Sequence, residues 1–252
     1  MFSRVALLLL LAGLLHGCVS TGNVDPMRTA SGREEARDAY IQLGIGYLQQ
    51  GDTARAKVPL RQALDLDSRS ADAHTALALV FQTEMEYDLA DKHYRDALSI
   101  RSDPRILNNY GSFLFERGRY EEAMQRFTQA SADNLYTERS RVFENMGLTA
   151  LRLNQPQQAE AYFERALRLN ARQPGALLEM AMLSYQSKNY VPARSYYERY
   201  SRLAEQNARS LLLGIRLANI HDDRDRAATL ALQLRRLYPA SPEYQQYLSE
   251  QR

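Results

Sequence analysis

The chain has no tryptophan, a single cysteine, Cys18, and only four histidines among its 252 residues. One cysteine excludes an intrachain disulfide and every paired-thiolate zinc or redox motif, so stability has to come from packing. His16 falls in an apolar leader, and His74, His93 and His221 have no Cys, His or paired carboxylate at a metal-like spacing. Neither a zinc site nor a nucleophilic centre is therefore expected. No Gly-rich phosphate loop occurs. The acids of Glu84-Met85-Glu86 and Asp222-Asp223-Arg224-Asp225 read as turn residues rather than a catalytic pair. With 32 basic against 30 acidic side chains the formal charge is only +2, which argues against nucleic acid as the main partner. An enzyme is not expected, nor a cofactor. No apolar run reaches the roughly 20 residues that a spanning helix needs.

The longest apolar run is Val5–Leu15, preceded by one basic residue, Arg4, and followed by His16-Gly17-Cys18. Charged-then-apolar order at an N-terminus is that of a secretory signal. A small residue directly before a cysteine resembles the bacterial lipobox, in which the thiol is diacylated, the leader removed, and the new N-terminus acylated. On that reading residues 1–17 are the signal peptide and Cys18 is the lipidation site. Several acyl chains anchor firmly, since each buried methylene contributes about 0.8 kcal/mol. Removing Arg4 leaves 31 basic against 30 acidic side chains, a formal +1. Val19-Ser20 follow the cysteine, and the absence of Asp at the second position after it resembles lipoproteins passed on to the outer membrane. Residues 18–33 hold Ser20, Thr21, Gly22, Asn23, Asp25, Pro26, Thr29, Ser31 and Gly32 with almost nothing apolar, the composition of a flexible tether.

From residue 34 to 252 one pattern repeats. Gly44, Ala78, Gly111, Gly147, Ala181 and Gly214 are 34, 33, 36, 34 and 33 residues apart, the tetratricopeptide (TPR) period, in which a small residue lets two antiparallel helices approach closely. Ala56, Ala90, Ala123, Ala159, Ala193 and Ala227 follow them at 12, 12, 12, 12, 12 and 13 residues. A third place, seven further on, holds Ala63, Ala97, Ala130 and Ala166, then Tyr200 and Leu234 in the last two units. Tyr40, His74, Leu107, Phe143 and Leu177 fill the place where such repeats prefer Trp, and Leu60, Tyr94, Phe127, Phe163 and Tyr197 fill a large slot between the alanines. Gly51 and Gly118 end first helices as Gly commonly does, and Pro104, Pro174 and Pro239 mark joints between units. The expectation is an all-α, right-handed superhelical TPR solenoid of about six helix-turn-helix repeats. The sixth is the least regular, with an added residue expected in its turn at 221–225, and Ser241-Pro242 starts a short C-terminal capping helix.

Such an array has a groove lined by the first helix of each pair. Residues one beyond the small marker are Ile45, Leu79, Ser112, Leu148, Met182 and Ile215. Those four beyond are Leu48, Gln82, Phe115, Leu151, Tyr185 and Ala218. Ten of these twelve are apolar, which marks a hydrophobic docking strip more than a water-facing wall. The competing reading is that they are partly buried between adjacent first helices. Leu79, Phe115, Leu151, Met182 and Tyr185 are the anchors to test, since aromatic and Met side chains suit that role. Asn109 and Asn145, each two before its marker, are placed to hydrogen-bond an extended peptide, although Asn there is also common repeat filler. The extra residues between Gly111 and Gly147 fall near 132–135, where a change of curvature is expected.

Several stretches exceed what the repeat requires: Ala39-Tyr40-Ile41-Gln42-Leu43-Gly44, Lys57-Val58-Pro59-Leu60-Arg61, Ser140-Arg141-Val142-Phe143-Glu144-Asn145, Tyr190-Val191-Pro192-Ala193-Arg194 and Asn207–Gly214. With the lipobox-like leader and polar tether, they resemble the PilF/PilW family of type IV pilus biogenesis TPR lipoproteins. The resemblance implies a pilotin: an outer-membrane lipoprotein on the periplasmic face of a Gram-negative bacterium that binds the pilus secretin and promotes its localisation and multimerisation, and on which twitching motility depends. A single copy of the chain is expected to act. Two other roles fit a lipid-anchored repeat array equally in kind: a general outer-membrane assembly scaffold, and an activator of a cell-wall enzyme.

Overall fold

The computed structural model describes residues 26–251, and the leader, Cys18 and the first half of the expected tether, to residue 25, lie outside them. Among the described residues there are thirteen α-helices, one short 3-10 helix (Pro26–Arg28) and no strand. No described helix is long and apolar enough to cross a membrane. The chain divides into two compact units, residues up to 101 and residues from 102 onward. The first holds α1 (Ala30–Gln49), α2 (Thr53–Leu66), α3 (Ala71–Thr83) and α4 (Tyr87–Ile100). The second holds α5 (Pro104–Glu116), α6 (Tyr120–Ser131), α7 (Arg139–Arg152), α8 (Pro156–Leu169), α9 (Pro174–Gln186), α10 (Tyr190–Ser201), α11 (Ala208–Ile220), α12 (Arg224–Leu237) and α13 (Pro242–Glu250).

Seven of the thirteen described helices start on a side-chain cap. Asp52, Ser70, Asp103 and Asn207 each accept a backbone N–H of their own first turn, which satisfies a donor that helix geometry leaves orphaned. The same chemistry corrects the tether boundary. Composition extends the tether to residue 33, but the Thr29 hydroxyl accepts the Gly32 N–H at 2.9 Å, and α1 begins at Ala30.

Helix ends follow one device used six times. Gly51, Met85, Gly118, Asn154, Lys188 and Asp222 all have φ between 55° and 78°, the left-handed cap that closes an α-helix. After each, the next N–H returns to a carbonyl five residues back, as in Asp52 to Tyr47 at 2.9 Å and Asn189 to Ser184 at 2.8 Å. Only two of the six are glycine. The paired return bonds therefore hold the other four in a region that L residues seldom adopt.

Within a pair, the glycine marker faces the large slot. A Cβ on Gly44 would stand 2.5 Å from Leu60 Cγ, one on Gly111 2.6 Å from Phe127 Cε1, and one on Gly147 2.6 Å from Phe163 Cδ1. Leu60, Tyr94, Phe127, Phe163 and Tyr197 are all buried, as are the six alanines of the second marker set. Burying one such large apolar side chain contributes about 1.5–3 kcal/mol.

The sixth unit departs from its expected register. Counting back seven from the left-handed residue gives the small marker in every other unit, and from Asp222 it gives Ile215, not Gly214. From Ile215 the second marker Ala227 lies at 12 and Leu234 at 19, the same intervals as elsewhere, and Leu211 takes the Trp place. Large and small have changed sides: Ile215 replaces the glycine and Ala231 the large slot, both in one core with Leu211, Leu212 and Leu234. With the marker at Ile215, 34 residues after Ala181, the sixth unit contains no added residue, in 221–225 or in its first helix, which is 13 residues long like that of the fifth. Gly214 instead receives the Tyr197 hydroxyl from α10.

Candidate functional site

The ten strip residues of the first five units are all half-buried, Leu79, Phe115, Leu151, Met182 and Tyr185 among them, while Ile215 and Ala218 are fully buried. The register shift explains this correction, because the equivalent places in the sixth unit are Arg216 and Asn219. Leu79 belongs to the first compact unit, and the remaining four anchors to the second.

Met182 and Tyr185 share a concavity. It is a cleft of about 190 Å³ lined by both residues with Gln186 of α9, Arg209, Leu212, Leu213 and Arg216 of α11, and Glu243 and Gln246 of α13. Two arginines frame its apolar floor. Arg209 donates to both oxygens of buried Glu179, at 2.9 and 3.2 Å, and reaches Met182 Sδ at 3.0 Å. Arg216 pairs with Glu250 and stands 5.9 Å from the Tyr185 ring centre. Burial pushes the Tyr185 phenol above its ordinary value, so it is a neutral donor at physiological pH. Apolar ring and thioether surface beside anchored guanidinium groups suits a partner segment carrying an apolar side chain next to a carboxylate or carbonyl. Sequence reasoning placed Ile215 where Arg216 belongs and so missed Arg216. The signal was available in the spacing from Asp222.

Phe115 lies elsewhere in the second unit, edge-on to Tyr120 at 5.4 Å, with Arg152 over both rings. Asn145 is engaged internally, donating to Asn108 Oδ1 of α5 at 3.0 Å. Asn109 is half-buried on α5. The segment 140–145 joins neighbouring units. Glu144 of α7 accepts the Ala176 N–H at 2.8 Å, capping α9 from outside its own pair, and a Cβ on Gly175 would collide with that carboxylate. The linker after α10 is similarly fixed. Tyr200 donates to the Glu205 carbonyl at 2.9 Å, Tyr197 to Gln206 Oε1 at 3.1 Å, and Tyr238 to the Gln206 carbonyl at 3.0 Å.

One constellation lies outside any spacing read along the chain. His74 of α3 and His93 of α4 stand with their Nδ1 atoms 2.9 Å apart, and Asp96 Oδ2 lies 3.9 Å from His74 Nδ1. Nineteen residues separate the histidines, outside any contiguous metal motif. The antiparallel pair nevertheless brings the Trp place of its first helix against the residue just before the large slot of its second. Burial, reinforced by the neighbouring His74, pushes the His93 imidazole down to about 4.

Two tetratricopeptide-repeat family models match the chain, over residues 103–172 and 145–208. The type IV pilus assembly protein PilF of Pseudomonas aeruginosa is 60% identical over 248 residues, covering 98% of each chain. A solved structure of Pseudomonas aeruginosa PilF superposes with a TM-score of 0.85 at 62% identity, covering 87% of this chain and 99% of that one. PilW, described as a widely conserved type IV pilus biogenesis factor, superposes at 0.72 with 31% identity over 84% of this chain and 98% of its own. A full-length match of this identity, carried on helix pairs that share one turn geometry and one small-to-large contact, makes this chain a member of the PilF/PilW family of TPR proteins of type IV pilus biogenesis.

Proposed function

We propose that the chain is a pilotin: a lipoprotein, acylated at Cys18 and held at the periplasmic face of the outer membrane, that binds the type IV pilus secretin and promotes its localisation and multimerisation. The observation that carries the reading is the near-complete match to PilF, a type IV pilus assembly protein. The cleft beside Met182 and Tyr185 supports a grip on a protein segment without chemistry. Binding there requires no proton transfer and no cofactor, only burial of apolar surface and pairing with Arg209 and Arg216.

The test is deletion of the gene followed by immunoblotting of unheated membranes for secretin multimers. Wild type should restore them. Cys18→Ala should leave multimers in the wrong membrane, and Tyr185→Ala with Met182→Ala should lose them while the protein remains at normal abundance. Multimers unchanged by deletion refute the pilotin reading; general loss of outer-membrane barrels would then indicate the assembly scaffold, and altered wall crosslinking the cell-wall activator.

A further inference from the structure

We infer that His74, His93 and Asp96 form a binding site for one divalent transition-metal ion of the Zn²⁺ class, clamping α3 to α4. The three ligand atoms lie within 4.8 Å of one another. In a tetrahedral site with bonds of about 2.0–2.1 Å, ligand atoms stand about 3.3–3.4 Å apart. The observed separations of 2.9 Å between the two Nδ1 atoms and 3.9 Å to the carboxylate bracket that distance, so small side-chain rotations bring all three to one ion. Two imidazoles and one carboxylate are a donor set suited to zinc, and three protein ligands leave a fourth position for water.

The surroundings orient the ligands. His74 Nε2 lies 3.3 Å from the Ser68 carbonyl. Donation there puts the ring proton on Nε2 and leaves the Nδ1 lone pair facing His93, as metal-bound histidines are commonly held by a carbonyl on their far nitrogen. Phe81 stacks on the His93 ring at 5.3 Å between centres and an interplanar angle of 17°, which fixes its plane. The third ligand carries a built-in competitor: Lys92 Nζ donates to Asp96 Oδ2 at 2.8 Å. An ion entering the site must draw that carboxylate from the ammonium, so affinity is set by the difference between the two cations.

The competitor supplies the discriminating experiment. The full chain in detergent, with Cys18→Ser in every arm to remove its thiol, is titrated calorimetrically with ZnCl₂ and, separately, with MgCl₂. The expected result is one Zn²⁺ bound per chain without Mg²⁺ binding. His93→Gln and Asp96→Asn should each weaken Zn²⁺ at least tenfold, and Lys92→Met, with every ligand intact, should tighten it severalfold. Absence of saturable Zn²⁺ binding, or affinity indifferent to His93→Gln in a chain of normal helicity, overturns the site. Should a variant lose helicity, the Co²⁺-loaded chain with its three ligands intact decides: an intense visible band of four-coordinate cobalt upholds the site, and only weak six-coordinate absorption removes it.

Discussion

Gly147→Ala isolates the contact on which the repeat depends. The new Cβ would stand 2.6 Å from Phe163 Cδ1 and 2.7 Å from its Cζ, well inside van der Waals contact. Phe163 is fully buried, so its ring has nowhere to go without shifting α7 from α8. Overpacking of this kind costs about 1–3 kcal/mol, while Ala in a helix interior recovers about 1 kcal/mol over Gly. The net expectation is a loss of up to about 2 kcal/mol, equivalent to at most roughly 8 °C in Tm for a unit of this size. Thermal unfolding followed by circular dichroism at 222 nm measures it. Phe163→Leu, which alone should destabilise by opening a cavity, should in combination with Gly147→Ala cost about 1 kcal/mol less than the sum of the two. A Gly147→Ala chain about 1 kcal/mol more stable than wild type would refute the argument, because helix propensity would then be the only term that glycine carries there.

In the sixth unit, Ile215→Ala should cost about 2–4 kcal/mol, and adding Ala231→Leu should restore part of it; full additivity in the unfolding cycle would reject the exchange of large and small. Tyr197→Phe should lose about 0.5–1.5 kcal/mol and raise amide hydrogen exchange in residues 202–207. Burial pushes that phenol up to about 12, so no titration below pH 10 should mimic the substitution. Arg209→Met should destabilise by about 1 kcal/mol, the guanidinium being half exposed, and Glu179→Gln in the same chain should recover most of it, read by urea unfolding. A hydrogen bond from Lys57 holds the Glu84 carboxyl below the usual carboxylate range. The folded state then binds that proton less readily than the unfolded chain, so the pair's contribution is present above that range and lost as pH falls through it. The Tm difference between wild type and Lys57→Met should shrink towards zero in acid, and a difference constant from pH 7 to pH 3 would contradict the pairing.

Helix pairs and core were legible because small and large residues recur at fixed intervals, and Leu60, Tyr94, Phe127, Phe163 and Tyr197 sit where the period puts them. The turns were half legible. Gly51 and Gly118 announce a left-handed residue, whereas Met85, Asn154, Lys188 and Asp222 adopt the same φ only because return hydrogen bonds impose it. The sixth unit misled because Gly214, adjacent to the true marker, is small for a different reason: it accommodates the Tyr197 hydroxyl. The cleft was legible at Met182 and Tyr185, but not at Arg216, which the same one-residue error hid. His74 and His93 escaped because ligand spacing was sought along the chain, while an antiparallel pair sets it across two helices.

The inverted pair in the sixth unit bears on how this array can change over generations. In units one to five the small residue is on the first helix and the large one on the second, so a duplicated copy of any of them carries a lock of matching sense. Unit six has its bulk on the opposite helix, in Ile215, and α13 packs Tyr244 and Tyr247 against that core. Recombination that exchanged either helix of this pair for its counterpart from another unit would unite two large residues or two small ones. Exchange of a single helix across this pair therefore breaks the packing, whereas exchange of the whole pair preserves it.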